Sequence, residues 1–124
     1  MKTIHTTQAP VAIGPYSQGK ISGNVLYLSG QIPLDPATNA ISGSDITAQT
    51  KQVLENIHFL LQEAHTDFGA VVKTVCYLAD MNDFAVFNDL YAEKFISKPA
   101  RSCVAVKSLP KGVLVEIEVM AEIV

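Results

Sequence analysis

One arginine occurs in the 124-residue chain, Arg101, and it stands in the run PARSCVAV at positions 99–106. A guanidinium grips a planar carboxylate through two parallel hydrogen bonds and stays charged at any physiological pH, so a small organic acid is a natural ligand for it. A second run, LPKGVLVEIEVMA at 109–121, carries Glu116 and Glu118 between apolar residues. The two runs read as neighbouring strands joined by a Pro-Lys-Gly turn. Alternation puts Arg101, Cys103 and Ala105 on one face of the first strand, and sets Glu116 and Glu118 against Val115, Ile117 and Val119 in the second. The arginine and both carboxylates are then expected to point away from the apolar side. Two outcomes are open. One is an ordinary cross-strand ion pair of Arg101 with Glu116 or Glu118, which spacing alone favours. The other, if self-association buries that polar side, is a cleft between subunits holding Arg101 with a glutamate in reach. Cys103 is by default a small packing residue.

Other chemistries lack their residues. His5, His58 and His65 form no HxxxH pattern and pair with no acid at ligand spacing, and no acidic cluster marks a hard-metal loop, so no metal site is expected. His65 falls at the end of a helical stretch, where a cationic ring interacts favourably with the helix dipole. The seven glycines never form GxG, and no GKS or GKT follows a strand. Ser29 is in no GxSxG elbow and Ser17 has no nearby histidine, which leaves a hydrolase triad without support. Cys76 and Cys103 lie 27 positions apart with no CxxC, so reduced thiols are expected. Two further segments end or begin strands. AIGPYSQ (12–18) has a Gly-Pro turn that delivers Tyr16 and Gln18 to one face, and SGQIP (29–33) closes the next strand. Turn chemistry alone accounts for their Gly and Pro; Tyr16 is by default a core-edge residue with a wet hydroxyl, and Ser29 a turn cap.

The elements that must position these residues follow from periodicity. Apolar residues Ile46, Val53, Ile57, Leu60, Leu61 and Ala64 share one helical face, and the spacing predicts a helix over 45–65 capped by Asp45. A second helix is predicted over 83–95, with Phe84, Phe87, Leu90, Tyr91 and Phe95 as its buried stripe and Asn82 or Asp83 as cap. Strands are expected over 2–7, 16–22, 24–30, 71–79, 102–108 and 114–123, which is an α+β order within a single domain, 1–124. In the 71–79 strand Val71, Val75, Tyr77 and Ala79 are expected on one side, and Val72, Cys76 and Leu78 on the other. Both faces are thus largely apolar. Two helices cover only one of them, and in so short a chain the simplest cover for the other is a second copy, which predicts a homo-oligomer. The composition, 48% apolar and 17% charged with a net charge of −3, is that of a globular protein. Nine basic residues scattered among twelve acids make no phosphate-binding cluster, so nucleic acid is not an expected partner. The longest apolar run, 75–79, is far below the about 20 residues of a membrane span. The N-terminus has no apolar signal stretch, and a cytoplasmic location is expected.

In their order, AIGPYSQ, SGQIP, QTKQVLENI, VVKTVCYLADMNDFAVFNDLY, PARSCV and LPKGVLVEIEVMAE resemble the Rid (YjgF-like) family of 2-iminoacid and enamine deaminases over nearly the whole chain. The RidA branch is the nearest in pattern, because the arginine after Pro-Ala is present. What the resemblance implies is a chorismate-mutase-like α+β sheet with two helices on one face, a homotrimer, and three clefts between adjacent subunits. It further implies hydrolysis of reactive imines such as 2-aminoacrylate, 2-iminopropionate and 2-iminobutanoate to 2-keto acids and ammonia, without a cofactor. Carried over by motif, Arg101 would hold the substrate carboxylate and Glu116 would orient or deprotonate the attacking water. The Cys103 backbone would touch the ligand, and Tyr16, Ser29, Gly30 and Asn88 would line the pocket. One departure is AEKFISK, between Tyr91 and Pro99, which is shorter than in many relatives and borders the cleft. Relatives have also been linked to purine regulation, which leaves open a non-catalytic, metabolite-binding regulatory trimer using the same carboxylate pocket, and to RNA cleavage or translation inhibition. The acidic balance and single arginine count against the RNA role.

Overall fold

Asp45 begins the first helix by accepting a 2.8 Å hydrogen bond from the Ala48 amide, a cap that stabilises a helix by about 1 kcal/mol. In the computed structural model, which describes residues 1–124, this helix, α1, runs Ile46–Glu63. The second, α2, runs Phe84–Lys94. Strands β1 (Lys2–Ile4), β2 (Gly19–Ser22), β3 (Val25–Leu28), β4 (Val71–Leu78), β5 (Ala100–Ala105) and β6 (Val115–Glu122) form one sheet in the order β1-β2-β3-β6-β4-β5. All pairings are antiparallel except β4 with β5, which α2 connects as a parallel crossover. The fold is α+β.

One face of this sheet makes the core. Leu26, Leu28, Val115, Ile117, Val119 and Ala121 meet Val53, Ile57 and Leu60 of α1, Phe87 and Tyr91 of α2, and Phe95 just past its end in a single buried cluster. The predicted α2 stripe is borne out at those three aromatics, while Phe84 and Leu90 are half-buried. Asp83 occupies the α2 cap position but makes no capping hydrogen bond; Asp80 instead caps the short turn Met81–Asp83 through the Asn82 amide, at 2.8 Å. No helix is long and apolar enough to cross a membrane.

Three expectations are corrected. First, β5 and β6 are not neighbours, because β4 lies between them. The crossover from β4 through α2 places β5 on one side of β4, and β6 returns antiparallel on the other, so the Pro-Lys-Gly turn sits in a longer passage instead of a hairpin. Second, the 71–79 alternation is broken by a bulge between Val71 and Lys73. The extra residue turns Val71 to the core with Thr74, Cys76 and Leu78 and leaves Val72 exposed. Third, Arg101 does not share a face with the two glutamates. Its register partner is Thr74, and that of Cys103 is Cys76, so both lie on the helix-covered face, whereas Glu116 and Glu118 pair with Tyr77 and Val75 on the open face. No cross-strand ion pair between them is geometrically available.

Strands β1 and β2 are shorter than the 2–7 and 16–22 expected, because a buried side chain replaces the ladder there. The Gln18 amide accepts from the Thr6 N–H at 2.7 Å and donates to the carbonyls of Thr6, Ala9 and Pro10. It ties the N-terminal segment to the sheet.

Candidate active site

Arg101 projects from the edge strand β5 against α2. Its Nη1 donates to the Asn88 Oδ1 at 2.7 Å, and its guanidinium carbon lies 4.7 Å from the centre of the Tyr91 ring and 5.5 Å from that of Phe84. Of the residues expected from sequence, Arg101 and Asn88 therefore come together, beside a groove of about 640 Å³ also lined by Ile96 and Pro99. The 95–99 turn borders the groove, and in it the Lys98 amide donates to the Phe95 carbonyl at 3.1 Å. Cys103 is half-buried two residues along the same face. Burial pushes the Cys76 thiol up to about 12 and raises Cys103 as well, the latter opposed by the Arg101 charge. Neither thiol is set up as a nucleophile.

Glu116 belongs to a second cluster. Its carboxylate occupies the space that a Cβ on Gly30 would fill, so any side chain at position 30 would push the carboxylate from this place. The contact is held by a backbone bridge: the Gln31 amide donates to the Ile117 carbonyl at 2.8 Å, and the Ile117 amide returns to Gln31 at 3.1 Å. Ser29 is fixed alongside, its amide donating to the Gln18 carbonyl at 2.9 Å and its hydroxyl to the Ser17 carbonyl. Tyr16 is 54% exposed, and its hydroxyl accepts a 3.3 Å bond from the Ile13 amide. Tyr16 and Gly30 line a hollow of about 330 Å³, and Tyr16 and Ser29 border another of about 380 Å³. Burial first, and the Glu118 charge second, raise the Glu116 carboxyl above its ordinary range.

The chain thus carries two separated clusters. One, a cationic cluster (Arg101, Asn88), lies on the helix side of the edge strand, and the other, around a carboxyl (Glu116, Gly30, Ser29, Tyr16), lies towards the open face. A hollow between α1 and α2, lined by Lys51, His58, Leu90 and Glu93 among others, holds none of these residues. No cluster of His, Cys, Asp and Glu could hold a metal ion.

Several supports went unread in the sequence. Gln49 accepts from the Leu114 amide at 2.8 Å, and Asn56 donates to the Leu34 carbonyl at 3.0 Å. These two α1 residues anchor the loops on either side of Glu116 and Gly30. Their signal was present: polar residues seven apart on the same helical stripe as Val53 and Ile57 are polar groups committed to the core.

The profile of the Endoribonuclease L-PSP family matches residues 6–123. The chain is 55% identical to AldR of Lactococcus lactis subsp. lactis (strain IL1403), a protein named for a regulator, over 99% of this chain and 98% of that one. It is 47% identical to the 2-iminobutanoate/2-iminopropanoate deaminase of Salmonella typhimurium (strain LT2), over 97% and 96%. The crystal structure of E. coli TdcF with bound serine superposes with a TM-score of 0.93 at 40% identity, covering 98% of each chain. With a family profile matched almost end to end and the same sheet and helices in a solved relative, the chain belongs to the Endoribonuclease L-PSP family, that is, the YjgF/Rid family.

Proposed function

We propose that this protein hydrolyses reactive 2-imino and enamine acids, of the 2-aminoacrylate and 2-iminobutanoate type, to 2-keto acids and ammonia. It works as a homotrimer, with Arg101, Asn88 and the Cys103 backbone of one copy facing Glu116, Gly30, Ser29 and Tyr16 of the next. The observation that carries this is the placement of Arg101 and Glu116 on opposite faces of one sheet. A carboxylate grip and an acid-base group that cannot meet within a protomer can meet across a seam.

The chemistry asks little of the site. Water adds to the imine carbon, forming a C–O bond, and one of its protons passes to the nitrogen; the second, from the carbinol hydroxyl, follows as the C–N bond breaks, so that the C–O bond becomes the keto C=O and ammonia leaves. Arg101 fixes the substrate through its carboxylate, which supplies orientation. Glu116 takes the proton from the attacking water and returns it to the leaving nitrogen, a task suited by its raised affinity for a proton. The named Salmonella deaminase supports the substrate class, and the serine in TdcF, a carboxylate-bearing amino acid, supports the ligand chemistry. Two unpaired thiols suit a reducing, cytoplasmic compartment. The ribonuclease activity in the family's description is not carried over, because one arginine and a net charge of −3 offer no phosphate-binding surface.

Purified protein should accelerate ammonia and pyruvate release from enzymatically generated 2-aminoacrylate. Arg101→Ala and Glu116→Gln should each be inactive yet assembled. Dissociated, mixed and reassembled in equal amounts, the two variants should recover about a quarter of wild-type activity, because random mixing pairs an intact Arg101 with an intact Glu116 at that frequency. Full activity in Arg101→Ala, or no recovery on mixing, refutes the assignment. The identity with the regulator-named AldR favours one second reading, a metabolite-binding trimer using the same pocket without catalysis. Titration with 2-ketobutyrate alongside the turnover assay separates them: binding without turnover supports the regulator.

A further inference from the structure

An exposed arginine on an edge strand ordinarily samples many rotamers, and freezing one of them on ligand binding costs affinity. Arg101 is held before any ligand arrives. The face of the Tyr91 ring lies 4.7 Å from its guanidinium carbon, Phe84 presents a second ring at 5.5 Å, and Asn88 takes a single N–H at 2.7 Å. Of the five donors of a guanidinium, most are left without a partner from the chain.

Tyr91 is itself immobile. Its ring is buried and stacks on Phe95 with centres 4.2 Å apart and planes 27° from parallel, and Phe87 packs 5.8 Å away. The phenol shares a 2.7 Å hydrogen bond with the Thr74 hydroxyl, which is fully buried. Thr74 in turn is the strand neighbour of Arg101 in the parallel β4–β5 register. The contacts close a loop: the backbone sets Thr74 beside Arg101, the Thr74 hydroxyl fixes the tip of Tyr91, and the ring of Tyr91 supports the guanidinium that emerges next to Thr74. Burial keeps the phenol above its ordinary range, so it stays a neutral hydroxyl where the protein would work.

We infer that Tyr91 is a positioning residue for Arg101, its ring face aiming the guanidinium so that the donors Asn88 does not use are presented, already ordered, to a ligand carboxylate. The inference rests on the reading of Arg101 as the carboxylate anchor. The two ends of the side chain have separate tasks, the hydroxyl holding Thr74 and the ring holding the cation, so substitution can separate them.

Titration calorimetry on the full-length protein with 2-ketobutyrate and with its neutral amide tests this. Tyr91→Leu should weaken the acid about five- to twentyfold, the range of a partly desolvated cation–π contact, and change the amide less than about twofold. Tyr91→Phe should stay within about twofold for the acid. Placing mono-, di- and trifluorinated phenylalanine at position 91 withdraws charge from the ring face at nearly constant shape, so the acid's affinity should fall with each fluorine. This series decides the matter if Tyr91→Leu does not fold. Equal weakening of acid and amide in Tyr91→Leu, or a flat response to fluorination, overturns the role. Arg101→Gln is the control on the parent reading: if it leaves the acid's affinity unchanged, the anchor assignment fails. If it weakens the acid while fluorination has no effect, only the role of Tyr91 fails.

Discussion

Burial beside Gly30 and, secondarily, the charge of Glu118 favour the protonated form of Glu116 in the folded protein. A carboxyl raised in this way contributes stability that is full below its unfolded pKa and is lost as pH rises through the folded one. Glu116→Gln stays neutral at every pH, so at neutral pH it should melt no lower than the wild type while turning over about 10²–10⁴-fold more slowly. As a base, Glu116 works ionised. The acid limb of kcat/KM should therefore lie above the ordinary carboxylate range and move to lower pH in Glu118→Gln, which removes the repelling charge. A pH profile unmoved by Glu118→Gln would count against Glu116 as the titrating base. At this scale the sequence was informative where composition singled a residue out, as it did for the lone Arg101. It could not by spacing separate Glu116 from Glu118, which share a strand face. What separates them is the approach of Gly30 from a distant segment, and no local pattern encodes that contact.

α1 ends with the Thr66 amide donating to the Leu61 carbonyl and the His65 amide to that of Gln62, both at 3.0 Å, and with His65 at φ 58°. This is the Schellman arrangement, whose left-handed position favours glycine. A histidine there carries a steric cost of about 1 kcal/mol, which outweighs the greater unfolded entropy of glycine. His65→Gly should accordingly raise the melting temperature by about 2–6 °C in calorimetry. A fall would instead give the imidazole the helix-end role expected from the dipole. Both helices were legible from spacing, and α1 from its cap as well, because these signals are local. The strands were found but ordered wrongly at one point: PARSCV and VLVEIEV look like a hairpin, yet β4 intervenes, because the choice of strand neighbour is made by the α2 crossover. The bulge at Val71 likewise reflects pairing with Ala121, fifty positions away, and inverted the expected faces of one residue pair.

The helices cover one face of the sheet and leave the other to Tyr27, Val75, Tyr77, Val104 and Met120, with Tyr27 and Val104 nearly half exposed at 46% and 47%. Glu116 and Glu118 of β6 stand between the Tyr27–Met120 pair and the Val75, Tyr77 and Val104 group, and apolar side chains left on the uncovered face of so small a chain suit an association surface. Val104 stands beside Tyr77 in the β4–β5 register, while Arg101 and Cys103 of the same strand face the helices. A charge at 104 therefore burdens the proposed seam without touching the cationic cluster of Arg101 and Asn88. Val104→Glu should shift the protein in sedimentation or light scattering to a single 13.4 kDa species that keeps its helical signal. It should lose imine turnover, because Arg101 would then have no partner's Glu116 to face. An inactive but fully assembled Val104→Glu would place the seam elsewhere on the molecule. An active monomer would go further and show that one chain completes the site alone, against the opposite-face geometry from which the shared cleft was argued.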